Sequence, residues 1–104
     1  MSAHTRGPWQ ALPEESDKDY LRIRGTRLGG RYKIANVSAL KYEGVDPREA
    51  AETQANARLI CAAPDLFEAL IAMVDRWEPD TSGTDRVMHD SARAAIAKAR
   101  GAAL

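Results

Sequence analysis

The chain is poor in the residues that carry most small-protein chemistry. One cysteine and two histidines occur in 104 residues, so an internal disulfide is excluded. Zinc needs three or four ligands at paired spacing; His4, Cys61 and His89 do not supply that, and no metal or other cofactor is expected. Net charge is also missing, with 15 Lys and Arg against 15 Asp and Glu. The overall positive field that drives non-specific nucleic-acid binding is therefore absent. No apolar run approaches the roughly 20 residues that span a bilayer, and the opening MSAHTRGPWQ lacks the apolar stretch of a signal peptide. Together with the lone cysteine, this predicts a cytoplasmic protein with no membrane partner. The glycine-rich GTRLGG lacks the Lys-Ser/Thr of a phosphate loop and stands between two apparent strands.

What is present changes character along the chain. Residues 8–42 are interrupted by Gly, Pro and short alternating runs, whereas residues 46–101 are Ala-rich with helical periodicity. The length suits a single domain, 1–104. In YLRIR, Leu21 and Ile23 alternate with Tyr20, Arg22 and Arg24, and RYKIANV alternates likewise, as half-buried strands require. With GTRLGG between them they predict a hairpin. WQAL, stopped by Pro13, is a third short strand, and PEESDKD is a solvated acidic connection.

The helical half opens on Asp46-Pro47-Arg48-Glu49, a cap followed by a proline suited to the first helical position. Downstream, Ala55, Leu59 and Ala62 form one stripe, with Ile60 and Ala63 beside it. Pro64 predicts a stop or kink. Beyond it, Phe67, Leu70, Ile71 and Val74 keep helical spacing, widened by Leu66, Met73 and Trp77. A last helix runs from about Asp85 to Arg100, capped by Thr84, with Met88, Ala92, Ala95, Ile96 and Ala99 as its apolar stripe and Gly101 as its stop. The tail after Gly101 is expected to fray. The fold class is α+β: a two- or three-stranded antiparallel sheet followed by two or three helices packed on one face.

Candidates for chemistry are few. A nucleophile needs a base within hydrogen-bond reach, and Cys61 sits mid-helix among Ile60, Ala62 and Ala63 as a packed thiol. His89 reads as a surface helix residue. Glu14, Glu15, Asp17 and Asp19 have no apolar neighbours to raise a pKa. No catalytic residue is assigned. One charge pattern stands out: between Asp19 and Glu43 lie Arg22, Arg24, Arg27, Arg31, Lys33 and Lys41 with no acid. This basic hairpin is either a charged face that prevents edge pairing or a patch for phosphates or an acidic partner surface. In HTRGPW, Gly7 and Pro8 permit a sharp turn and Trp9 can pin it by inserting its ring. His4 and Arg6 stand at the rim, where with Trp9 they could edge a pocket.

HTRGPW at 4–9 and ANARLICAAPDLFEAL at 55–70 together resemble a widespread group of small phage and prophage proteins. That group opens on His-Thr-Pro-Gly-Pro-Trp and carries an Ala-Asn-Ala-Arg-Leu-Ile helix after a variable strand-rich middle. More loosely, the segments resemble the Ead-like early-region proteins of temperate phages. Arg6 replaces the usual proline, and Cys61 stands at an alanine position. The resemblance singles out Asn56 and Arg58, polar residues that could order the HTRGPW loop or face a ligand.

It implies a non-enzymatic phage or prophage accessory protein in the bacterial host cytoplasm, acting by binding. An inhibitor of host defence and a sequestering protein for a nucleotide-like signal are both forms of this. The expected partner is a host or phage protein. A nucleotide-like small molecule is a second possibility, held by the basic hairpin with a base stacked on Trp9 or Tyr32. Alternatives are a nucleic-acid-binding regulator using that hairpin and an assembly protein forming homo-oligomers through its helices.

Overall fold

A computed structural model describes residues 4–25, 32–39, 44, 46–79 and 83–101. Strands β1 (Trp9–Ala11), β2 (Tyr20–Gly25) and β3 (Tyr32–Ser38) are followed by helices α1 (Pro47–Arg76) and α2 (Thr84–Ala99). The protein is therefore an α+β fold with a three-stranded antiparallel sheet in the order β1-β2-β3. The tip of the expected hairpin, with Arg27 and Arg31, lies outside the described residues, as do Lys41 and the tail after Gly101.

The packing falls into two compact units that divide between Pro64 and Asp65. Packing thus changes hands inside α1 and not at the change of composition near residue 46.

In the unit ending at Pro64, alternation does what the sequence requires. Leu21 and Ile23 are 3% and 0% exposed, and they close a core with Ala57 of α1 at 1%. Trp9, Ile34, Ala35, Val37, Ile60 and Cys61 pack around that cluster. Ile23 faces Ala35 while the next residue, Arg24, faces Lys33, so Ile34 is the extra residue of a β-bulge. A bulge re-aims side chains, and here neighbouring Ile34 and Ala35 both reach the core.

Asp46 caps α1 as expected: the Arg48 amide donates to its Oδ1 at 2.8 Å. The inward stripe, however, is Thr53, Ala57, Ile60, Cys61 and Pro64, all buried or half-buried. Ala55 and Leu59 point outward, Leu59 at 63% exposure. An Ala-rich helix offers several stripes of similar apolarity, and contact with Leu21 and Ile23 selects the one with the smallest side chain at its centre. The helix also does not stop at Pro64, which is buried within it. A mid-helix proline forfeits one backbone hydrogen bond, and burial of its ring in a long run of strong helix formers offsets that loss.

In the unit beginning at Asp65, Phe67, Leu70, Ile71, Val74 and Trp77 are half-buried, as their spacing predicts, but Leu66 and Met73 are exposed. On α2 the inward stripe is Asp85, His89, Ala92 and Ile96; Met88, Ala95 and Ala99 are exposed. His89 is thus a buried residue, 8% exposed, and not a surface one. Its ring lies edge-on to Trp77 with centroids 5.3 Å apart. The aromatic contact takes the place that Met88 would have filled. Thr84 is the first helical residue, not the cap. Gly83 holds the cap position at φ 91°, a conformation glycine adopts without strain. At the other end Gly101, at φ 87°, terminates α2 as expected, its amide donating to the Lys98 carbonyl at 3.0 Å.

Candidate functional site

The basic hairpin is the natural starting point, and two of its arginines are already engaged. Arg22 leaves the polar face of β2 and meets Glu15 of the preceding connection, Nη2 to Oε1 at 2.6 Å. The same nitrogen reaches the Pro13 carbonyl at 3.5 Å. Glu15 also holds Lys18 at 3.3 Å. Hydrogen bonding to Glu15, then the charge of Asp17, raises the Lys18 pKa above its ordinary value. The acidic connection is therefore a clasp on β2 as well as a solvated loop.

Arg24 is tied more firmly. Its Nη1 donates to the carbonyls of Ile23 at 2.9 Å and Ala35 at 3.1 Å, the two residues that flank the bulge. Both Nη atoms also reach Asn36 Oδ1 at 3.3 Å. A bulge disrupts the ladder locally, and the guanidinium fork supplies donors where carbonyls need them. Arg22 and Arg24 thus both make contacts within the sheet unit. Of the remaining predicted cations here, Lys33 is exposed on β3, whereas Arg27 and Arg31 lie outside the described residues. Tyr32 belongs to β3, but its side chain is likewise outside what is described.

HTRGPW closes on itself. The Gly7–Pro8 peptide is cis, the Trp9 indole Nε1 donates to the Thr5 carbonyl at 3.1 Å, and the His4 ring stands edge-on to the indole at 6.2 Å. Trp9 is half-buried against the core. Its cross-strand partner is Gly25, where the absent side chain leaves room for a ring. His4 is half-buried and Arg6 exposed.

Asn56 and Arg58 are both exposed on α1 and form no hydrogen bond or ion pair with another described residue. They do not order the HTRGPW loop in the way open to them from sequence. By the helical repeat they flank Leu59 on the face opposite Ala57. Cys61 sits at the edge of the core; burial raises its thiol pKa, opposed by a hydrogen bond with the Ala11 backbone.

One feature of this unit had no sequence signal. A cleft of about 210 Å³ lies between the acidic connection, the end of β3 and the first turns of α1, lined by Glu14, Ser38, Glu49, Thr53 and Gln54 among others. Among the described residues no group of three or more His, Cys, Asp or Glu is placed to hold a metal ion, and no helix is long and apolar enough to cross a membrane.

No curated protein and no solved structure matches the chain. A family model does, over residues 1–103: that of Salmonella phage P22 protein Y8K6. The match takes in both the HTRGPW turn and the α1 segment that packs on the sheet, and with it the chain belongs to the Salmonella phage P22 protein Y8K6 family.

Proposed function

We propose that this phage protein is a non-enzymatic accessory factor that acts in the host cytoplasm by binding a host protein, with inhibition of a host defence component as its role. The observation that carries the reading is the outward face of α1 at Leu59, a large apolar side chain left 63% exposed. Asn56 and Arg58, free of partners among the described residues, stand on either side of it. An apolar anchor ringed by polar groups is the usual anatomy of a protein-binding hot spot, and arginine is enriched there. The looser likeness to Ead-like early-region proteins agrees with an accessory role. Internal engagement of Arg22 and Arg24 favours a protein partner over a nucleotide-like signal or a nucleic acid, since those ligands need cations free to meet phosphate.

Native mass spectrometry of the protein purified from phage-infected cells tests this. The expected result is one host protein held in stoichiometric amount by the wild type and lost in Arg58→Glu and Leu59→Glu, both still folded by circular dichroism. A co-purifying nucleotide, or a partner retained by both variants, would overturn it.

A further inference from the structure

The unit of α1 from Asp65 onward and α2 has two different sides. The helices run antiparallel, because the Arg100 guanidinium lies 5.8 Å over the Phe67 ring while Trp77 meets His89. At 3.6 residues per turn, Leu66 and Met73 sit roughly a quarter-turn from the inward stripe of α1. Met88 sits beside the inward stripe of α2, offset in the same rotational sense, whereas Val87 falls on the outward face of α2. In facing antiparallel helices the same offset puts Leu66, Met73 and Met88 on one side of the pair. All three side chains are more than half exposed. Glu68 and Asp75 of α1 and Arg86 and Arg93 of α2 fall on the opposite, charged side.

The apolar side is self-complementary in shape. On α1 it carries Met73 near the level where α2 carries Ser91 and Ala95. Near the end of α1 it opens into a shallow depression of about 510 Å³, lined by Ala72, Met73, Arg76 and Trp77. Met88 stands at nearly the same level along the pair. A second copy turned about a two-fold axis parallel to the helices lays its α2 on this α1. Its Met88 then enters the depression while Met73 rests on its Ser91 and Ala95, and the reverse contact forms at the same time, as an isologous interface requires.

The margins match in charge as well. Asp65 and Lys98 border the face on opposite helices, both exposed and neither ion-paired to another described residue, and the same rotation sets each beside its opposite in the partner. The three large side chains supply part of the about 800 Å² per partner of a standard interface, and the small residues between them extend it.

We infer that this face is a homodimer interface in which two helical pairs stack into a four-helix bundle, with Met88 of each chain seated against Trp77 of the other. The inference stands apart from the host partner proposed above, which engages the Leu59 face in the other unit.

Sedimentation equilibrium of the full chain from low to high micromolar concentration tests it. The expected result is a dimer that Met88→Glu weakens by roughly thirtyfold or more. Asp65→Lys and Lys98→Glu each weaken it by about tenfold, and the double reversal Asp65→Lys/Lys98→Glu restores it. A wild type that stays monomeric at high micromolar concentration overturns the inference. So does a dimer indifferent to Met88→Glu and to the charge reversals, and so does a monomer that uses Met88 only to hold a host protein.

Discussion

The two units of this small protein solve the same problem unequally. Around β2, three buried residues, a bulge and two engaged arginines make a tightly packed core. Among the described residues of the helical pair only His89 and Ile96 are buried, and large apolar side chains face outward. The more tightly buried core and the larger exposed apolar surface therefore lie in different parts of the chain.

The largest effect should come from the sheet unit. Ile23→Ala removes a fully buried side chain and is expected to cost about 2–5 kcal/mol in chemical denaturation. Ile96→Ala should cost clearly less, because its surroundings are already partly solvated. Equal losses would erase the contrast between the units.

The clasps on β2 come next. Arg24→Met leaves the Ile23 and Ala35 carbonyls without their charged donor and should cost about 1–3 kcal/mol. Arg22→Met breaks a pair that is partly exposed and should cost no more than about 1 kcal/mol. If Arg24→Met were neutral while phosphate binding fell, the arginine would belong to a ligand and not to the bulge.

In the helical pair, His89 Nδ1 is buried without a hydrogen-bond partner among the described residues. Replacing the ring with an apolar side chain removes that cost, so His89→Leu should be neutral or stabilising by up to about 1 kcal/mol in thermal unfolding. A strongly destabilised His89→Leu would mean that the Trp77 contact outweighs the orphaned nitrogen.

The smallest effect is alkaline. Burial raises the folded thiol pKa of Cys61, so the unfolded chain ionises first. The corresponding stability is present below the unfolded pKa, about 8.5, and is lost as pH rises through the folded value. Alkylation at mildly alkaline pH should be slower in the folded protein than in urea, and Cys61→Ala should flatten the alkaline fall in stability. Equal alkylation rates would place Cys61 outside the core.

Much of the architecture could be read from local pattern. Leu21 and Ile23 alternate cleanly, and Asp46-Pro47 combines a cap with a first-turn proline, so both speak through neighbours in sequence. The failures share a different cause. Which stripe of the Ala-rich helix turns inward depends on the sheet it meets, so Ala57 was hidden beside Ala55 and Leu59. His89 is packed against Trp77, which follows the end of α1 and lies far from it in sequence. Arg22 and Arg24 are a separate case: their charge was legible, while Glu15 and the bulge carbonyls became their neighbours only on folding. Asn56 and Arg58 stand out in the resemblance, and their exposure fits the binding role proposed for them.

The contrast between the units is tested most directly by hydrogen exchange of the full chain, followed by mass spectrometry at several protein concentrations. The account predicts slow, concentration-independent exchange in β2 and in the α1 segment around Ala57, with α2 faster and gaining protection as concentration rises. Equal, concentration-independent protection of β2 and α2 would contradict it.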